Sequence, residues 1–145
     1  MLQVSIANNG GYSEITSFYL GVGYSCQLHE SDLVIQAREN GEVVGAVRLC
    51  QEKGKLVLRG MYVSEAKRGS GIGTALLRAA SDEISHRECW CIPYTYLTQL
   101  YGRAGFEEAP KYAEPRFLLD RLARYSRKGK SVVLLVRPAN WRVIA

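Results

Sequence analysis

A glycine-rich turn between Arg68 and Thr74 carries the clearest chemical pattern in the chain. The turn reads Arg68-Gly69-Ser70-Gly71-Ile72-Gly73-Thr74 and follows a strand-like stretch that ends near Val63. Glycines let the backbone bend tightly and approach a ligand closely. The first N–H groups of the helix that follows lack internal partners and carry the positive end of its dipole. The segment is therefore predicted to bind an anion such as a pyrophosphate, with Arg68 adding positive charge.

Three interpretations of this turn compete. A P-loop needs a Gly-Lys-Ser/Thr ending, which is absent here. The dinucleotide fingerprint, counted from Gly69, needs a glycine or alanine at Thr74 and a parallel βαβ unit, whereas the preceding strands look like hairpins. A plain structural turn is the third interpretation.

The stretches before the turn predict successive antiparallel strands. Leu33–Arg38 and Val43–Leu49 flank Asn40-Gly41, a strong hairpin signal because both residues tolerate positive φ. A second turn at Lys53-Gly54-Lys55 leads into Leu56–Val63. These three segments form an antiparallel sheet.

Apolar residues at helical spacing predict the helices. They lie at Tyr12–Val22, Ile72–Ile84, Tyr96–Ala104 and Pro115–Lys128. Two further strands are expected at Cys89–Ile92 and Ser131–Arg137. The pattern indicates a mixed α/β domain, in which a helix crosses from the antiparallel strands to a strand that can lie parallel.

Length and composition set the outer limits. The 145 residues fit one domain, residues 1–145. No apolar stretch reaches the ~20 residues of a membrane span, and Met1–Ile6 lacks the features of a signal peptide, so a cytoplasmic protein is expected. The net charge of +5 suits an anionic partner (a nucleic acid, a membrane surface or a phosphorylated cofactor) or simply a solvated surface.

The cysteines indicate buried, reduced thiols and no metal site. Cys26, Cys50, Cys89 and Cys91 form no disulfide framework that a chain of this size needs. Cys89-Trp90-Cys91 lacks both the two-residue spacing and the second ligand pair of a metal knuckle.

Two motifs in order resemble the GNAT acetyltransferases. Arg68-x-x-Gly71-x-Gly73 matches that family's Gln/Arg-x-x-Gly-x-Gly/Ala signature at a strand-to-helix turn. The block Leu97–Phe106 resembles the family helix in which a tyrosine is followed by Gly-Phe. The resemblance covers roughly Leu33 to Phe106. It implies a central, largely antiparallel twisted sheet with a splayed parallel strand pair, flanked by helices.

The resemblance also implies a cosubstrate, acetyl-coenzyme A, that enters the wedge between the splayed strands. The main chain of Met61 would face the acetyl carbonyl and stabilise the oxyanion, and that of Val63 would face the pantetheine. The expected cofactor-binding residues are Met61, Tyr62, Val63, Arg68, Gly69, Ser70, Gly71, Ile72, Gly73 and Thr74.

Tyr101 matches the family tyrosine that protonates the departing thiolate. A phenol with a pKa near ~10 stays protonated at neutral pH and can donate to a thiolate whose pKa is near ~8.5. With Met61 it completes the predicted catalytic set, and the reaction implied is direct acetyl transfer to a primary amine in a ternary complex. A core tyrosine is the alternative.

The general base departs from the family pattern. Many relatives carry a glutamate four residues before the Met61 position, where this chain has Val57. A water relay, another carboxylate or a neutral amine are the alternatives. The weaker candidates are Glu107, Glu108, Glu114, His29 and His86.

Two arginines are predicted to bind the acceptor. Arg59 has the strand parity of Val57 and Met61, so all three are expected on one face of the sheet. Arg59 and Arg48 would then bind a carboxylate or phosphate of the acceptor. The alternative is that both point to solvent or pair with glutamates.

Two other functions compete with catalysis. A coenzyme A-binding regulatory module without activity is favoured by Val57, and a nucleic-acid-binding domain by the basic helix Pro115–Lys128. That helix lacks interleaved aromatics for base stacking. We therefore expect acetyl-coenzyme A and an amine as partners, neither nucleic acid nor membrane, and a homodimer as one permitted assembly.

Overall fold

The computed structural model describes residues 1–110 and 114–141 and divides into two compact units, Met1–Glu83 and Ile84–Ala145. The first unit contains β1 (Leu2–Ile6), α1 (Tyr12–Gly21), β2 (Leu33–Glu39), β3 (Glu42–Glu52), β4 (Lys55–Val63) and α2 (Ile72–Ile84), which ends at the unit boundary. The second contains β5 (Cys89–Cys91), α3 (Thr98–Arg103), β6 (Glu107–Glu108), α4 (Arg116–Arg127) and β7 (Leu135–Arg137). The predicted mixed α/β class is confirmed, whereas one domain over residues 1–145 stays a prediction.

The strands of the first unit run in the order β1-β2-β3-β4, each antiparallel to its neighbour. Asn40 and Gly41 adopt φ of 52° and 81° in the first hairpin turn. Lys53 and Gly54 adopt 48° and 79° in the second. Both predicted hairpins are confirmed, because two consecutive residues with positive φ match the twist of the flanking strands.

The N-terminal strand β1 was not predicted. It pairs with β2 from Leu2 opposite Glu39 to Ile6 opposite Ile35. Its signal is the alternation of Leu2, Val4 and Ile6 with polar residues, which is the period of a half-buried strand.

The two helices of the first unit cover opposite faces of its sheet. Ile15 and Tyr19 of α1 are buried with Val34 and Ala46. On the other face, a Cβ added to Gly45, the neighbour of Ala46, would lie 3.0 Å from side-chain atoms of α2. Successive residues of a strand point to opposite faces, so α1 and α2 enclose the strands between them.

A β-bulge interrupts β4 at Gly60. Ala46 pairs with Tyr62, yet Arg48 pairs with Arg59, so two steps along β3 span three along β4. Gly60 has a φ of 64°, the left-handed conformation that glycine adopts at the first position of such a bulge.

The bulge overturns the predicted strand parity. Arg59 and Tyr62 lie opposite Arg48 and Ala46, which share one face of β3. Met61 therefore faces the other side of the sheet from Arg59. The expectation that Arg59 and Met61 share a face was wrong, because one inserted residue reverses the alternation.

In the second unit the strand order is β5-β7-β6, antiparallel throughout. The predicted helices are confirmed as α3 and α4, with Gly105 and Gly129 beyond their ends at φ of 93° and 82°. The final strand is shorter than predicted. Val132 forms only an isolated bridge with Tyr94, and regular pairing begins at Leu135.

Candidate functional site

The glycine turn leaves its backbone open. Gly69 and Gly71 have φ of 85° and 86°, and the Ala75 N–H makes the first helical bond, to the Gly71 carbonyl at 3.0 Å. A Cβ added at Gly69, Gly71 or Gly73 would meet no heavy atom within 4 Å. A ligand can therefore approach the main chain at the start of α2, as an anion site requires.

Positive charge flanks the turn. The Arg68 side chain is exposed, and its Nε lies 3.4 Å from the Val63 carbonyl oxygen. Lys67 pairs with Glu39 at 2.9 Å, while the Ser70 hydroxyl donates to the Lys67 carbonyl. Because the Arg68 contact is long and exposed, its guanidinium is able to turn toward an anion.

A shallow groove of about 350 Å³ lies beside the turn. It is lined by Phe18, Gly21, Val22, Ser64, Glu65 and Arg68. The open glycines and Arg68 thus fit a phosphorylated ligand. In residues 1–110 and 114–141, no three His, Cys, Asp or Glu side chains are placed to hold a metal ion.

Met61, Tyr62 and Val63 form the end of β4 beyond the bulge, and all three are half-buried. Val63 pairs with Gly45. The Tyr62 ring stacks on Tyr24 with centroids 4.8 Å apart. Their predicted contacts with a cosubstrate stay predictions.

The two arginines predicted to bind the acceptor are already paired. Arg59 Nη1 donates to Glu52 Oε2 at 3.0 Å, and both side chains retain some exposure. Arg48 is only 3% exposed, and its guanidinium bonds to Asp32 at 3.2 Å and to the Tyr24 hydroxyl at 2.5 Å. Acceptor binding stays a prediction for both, but burial of Arg48 favours a positioning role instead.

Tyr101, in the second unit, is 3% exposed. Its ring packs edge-on against Phe106, with centroids 5.9 Å apart. Its carbonyl accepts from the N–H groups of Ala104 and Phe106 at the end of α3. The Tyr-to-Phe spacing of the motif therefore also serves packing, and proton donation by Tyr101 stays a prediction.

The weaker base candidates are mostly at the surface. His29, His86, Glu107 and Glu108 are exposed, and Glu114 is half-buried. Val57, the position at which the family resemblance implied a glutamate, is 1% exposed. Residue 57 itself therefore cannot act as the general base.

Burial disfavours the thiolate form of Cys50 and Cys91. Burial raises the pKa of Cys50 to about 12 and that of Cys91 well above its usual value. All four cysteines are free, with Cys26 half-buried and the others buried. Because the thiolate is the reactive form, a cysteine nucleophile is disfavoured at neutral pH.

A cluster around Tyr19 was not predicted from the sequence as a site. The Tyr19 hydroxyl donates to the Gly60 carbonyl at 2.8 Å, and the Tyr19 ring contacts that of Tyr24 at 4.9 Å. Burial raises the pKa of Tyr19 well above its usual value, although Arg48 opposes the shift. No local motif marks the whole cluster, since its members come from three separate segments: the end of α1 with the residues after it, β3 and β4.

Comparison with known families identifies the chain as a member of the GNAT acetyltransferase family. The family model described as "Acetyltransferase (GNAT) domain" matches residues 30–108, more than half of the chain. Among curated proteins, none matches the sequence. In the described part of the chain, no helix has the length and apolar character to cross a membrane.

Solved structures share the fold at low sequence identity. Escherichia coli ElaA has a TM-score of 0.71 at 17% identity, covering 94% of this chain and 99% of that one. The ribosomal-protein-S18-alanine N-acetyltransferase from Escherichia coli has 0.70 at 16%, covering 100% and 99%. N-acetylglutamate synthase from Neisseria gonorrhoeae, complexed with coenzyme A and N-acetyl-glutamate, has 0.66 at 16%, covering 98% of this chain and 36% of that one.

Proposed function

We propose that the chain transfers an acetyl group from acetyl-coenzyme A to a primary amine of a small molecule or protein. The observation that carries the proposal is the open glycine turn. Gly69 and Gly71 adopt positive φ at the start of α2, and their Cβ positions face empty space. The N-acetylglutamate synthase solved with coenzyme A and the match to the acetyltransferase domain support the same choice of cosubstrate.

The pyrophosphate would be held at this turn. Main-chain N–H groups at the start of α2 would donate to its oxygens, and Arg68 and the helix dipole would balance its charge. The residues proposed to bind acetyl-coenzyme A are Met61, Tyr62, Val63, Arg68, Gly69, Ser70, Gly71, Ile72, Gly73 and Thr74.

The proposed reaction is direct attack. The amine nitrogen attacks the thioester carbonyl, the Met61 N–H stabilises the oxyanion, the C–N bond forms and the C–S bond breaks. Tyr101 gives its proton to the leaving thiolate, the amine loses one proton to solvent, and the Tyr101 phenolate regains one from solvent. The raised pKa values of Cys50 and Cys91 support direct attack over an acetyl-cysteine intermediate, because both thiols stay protonated.

Arg59 is the arginine we propose for acceptor recognition. Its guanidinium is about one-quarter exposed and is paired with Glu52 at 3.0 Å, with side-chain exposures of 28% and 20%. A carboxylate or phosphate on the acceptor would replace Glu52 as its partner through the same charge-assisted bonds.

The test is turnover of acetyl-coenzyme A with pools of amines, followed by free-thiol release, in the wild type and Tyr101→Phe. The variant keeps the ring that packs on Phe106 and removes one hydroxyl. Loss of a general acid should lower kcat by about 10²–10⁴-fold, while the loss of one hydroxyl should cost about 1 kcal/mol of stability.

Two outcomes contradict parts of the proposal. Near-wild-type kcat in Tyr101→Phe, when chemistry limits the rate, would remove Tyr101 from proton transfer. Tight binding of acetyl-coenzyme A with no turnover on any amine would favour a non-catalytic coenzyme A-binding module.

A further inference from the structure

The end of α1 brings two tyrosine rings together. Gly23 has a φ of 82°, its N–H bonds to the Leu20 carbonyl at 3.1 Å, and the Tyr24 N–H bonds to the Tyr19 carbonyl at 2.8 Å. This is a Schellman motif, which ends a helix and places the residue after the glycine against the last turn. The Tyr24 ring accordingly meets the Tyr19 ring at 4.9 Å, nearly at right angles.

Tyr19 bonds to the bulge itself. Its hydroxyl donates to the Gly60 carbonyl at 2.8 Å, and the side chain is 1% exposed. Burial raises the pKa of Tyr19 well above its usual value, so the phenol remains a donor at every physiological pH. A buried hydrogen bond of this kind fixes the direction of the carbonyl group.

The Gly60 carbonyl and the Met61 N–H belong to one peptide group. That group is planar and trans, so its C=O and N–H point in opposite directions. A donor that holds the carbonyl toward α1 therefore holds the N–H away from α1. Hydrogen bonds in series also polarise one another, so a bond to the carbonyl strengthens the N–H as a donor.

A second contact holds Tyr24 against Tyr19. Arg48 donates to the Tyr24 hydroxyl at 2.5 Å and to Asp32 Oδ2 at 3.2 Å, and Asp32 also accepts from the His29 N–H at 3.0 Å. The Tyr24 ring stacks on Tyr62 at 4.8 Å. Arg48 thus anchors the segment after α1 over the bulge.

We propose that Tyr19, supported by Tyr24 and Arg48, is a positioning residue that orients and polarises the Met61 N–H for the oxyanion of acetyl transfer. The inference rests on the proposed function, in which that N–H faces the acetyl carbonyl. It assigns the buried Arg48 a supporting role in place of acceptor contact.

The sequence supplies a selective probe, because its only methionines are Met1 and Met61. Labelling with ¹⁵N-methionine therefore gives at most two backbone amide signals, and that of Met61 is identified by its loss in Met61→Leu. In ligand-free Tyr19→Phe this signal should move upfield, since the Gly60 carbonyl loses its donor. Adding acetyl-coenzyme A should then shift it less than in the wild type.

Catalysis should change in the same variant while binding does not. We expect kcat to fall about tenfold, less than the 10²–10³-fold that removal of an oxyanion donor costs, because the N–H itself remains. The acetyl-coenzyme A Kd should stay within about threefold, a difference of ~0.6 kcal/mol.

Tyr12→Phe is the matched control. Tyr12 also lies on α1 and donates to a backbone carbonyl, that of Asp32, at 3.1 Å. Its loss should leave the Met61 signal in place. If Tyr19→Phe does not fold, Tyr24→Phe keeps the ring and removes the hydroxyl bonded to Arg48, and it should move the signal in the same direction by less.

An unchanged Met61 signal in ligand-free Tyr19→Phe overturns the inference, and so does wild-type kcat in that variant. Failure of the proposed function looks different, because the wild type itself then releases no thiol with any amine, whether or not it binds acetyl-coenzyme A. The ligand-free Met61 signal tests the contact with the bulge in either case.

Discussion

Glycine serves two opposite purposes at the two ends of one segment of the first unit. At Gly71 the backbone has a φ of 86°, and a Cβ added there would have no heavy atom within 4 Å. At Gly60 the backbone has a φ of 64°, and the Cβ position lies 3.0 Å from the Tyr19 hydroxyl, 3.1 Å from Tyr24 and 3.3 Å from Arg48. Gly71 leaves the main chain open to a ligand. Gly60 lets the side chains of Tyr19, Tyr24 and Arg48 pack against the main chain of the bulge.

The difference indicates how the two regions tolerate change. The open turn is expected to lose ligand affinity before it loses stability, because no heavy atom lies within 4 Å of the Cβ positions of its glycines. The bulge is expected to lose stability and geometry together, because three side chains contact it. Variants at the two sites therefore test whether the turn and the bulge differ in this way.

The largest effect is expected when the same substitution is made at both glycines. Gly71→Ala places alanine in a left-handed conformation, which costs about 1–2 kcal/mol. Gly60→Ala carries that cost and also crowds Tyr19, and overpacking typically adds about 1–3 kcal/mol. Urea unfolding should therefore show Gly60→Ala to be the less stable variant, and equal losses at the two positions would remove the contrast.

The second largest effect is expected on the affinity for acetyl-coenzyme A. Gly71→Val places a branched side chain where a pyrophosphate would approach, so the acetyl-coenzyme A Kd should rise well over tenfold, or ~1.4 kcal/mol. Calorimetry on the folded variant measures this directly. Gly54→Val is the control, because Gly54 also has positive φ, at 79°, with open space at its Cβ, but lies in a hairpin turn. Similar Kd changes in both variants would point to general strain and not to a ligand site.

The smallest expected effect is a pH dependence of the unfolding free energy that comes from the buried thiol of Cys50. The pKa of Cys50 is raised to about 12 from an ordinary value of 9.0, so its stabilising contribution is complete below pH 9 and is lost as the pH rises toward 12. Cys50→Ala should make the decline of the unfolding free energy between pH 9 and 10 shallower by up to about 1.4 kcal/mol per pH unit. Ser70→Ala, in the open turn, should leave the slope unchanged. Identical slopes for wild type and Cys50→Ala would contradict burial of the thiol.

The glycine turn could be predicted from the sequence and the bulge at Gly60 could not, for a physical reason. The turn is a local pattern, since Arg68, Gly71 and Gly73 lie within six residues and the helix start follows from them. The hairpins at Asn40-Gly41 and Lys53-Gly54 were predictable in the same way, from residues that tolerate positive φ.

The bulge depends on contacts between distant segments. Gly60 looks like any strand glycine until the Tyr19 hydroxyl, 41 residues away, is found on its carbonyl. Strict alternation therefore placed Arg59 and Met61 on one face, and a single inserted residue made that wrong. The two-residue strand β6 could not be predicted either, because two residues cannot show the alternation of a strand.

The central claim, that the glycine turn binds the pyrophosphate of acetyl-coenzyme A, is tested most directly by comparing two ligands on two proteins. Coenzyme A carries a nucleotide part that includes the pyrophosphate, and pantetheine lacks that whole part. Calorimetry of both ligands on the wild type and Gly71→Val therefore shows how much of the preference for the nucleotide part depends on the turn. The wild type should prefer coenzyme A by well over tenfold, or ~1.4 kcal/mol. Gly71→Val should lose most of that preference and keep its affinity for pantetheine. A folded Gly71→Val variant that retained the full preference for coenzyme A would contradict the claim.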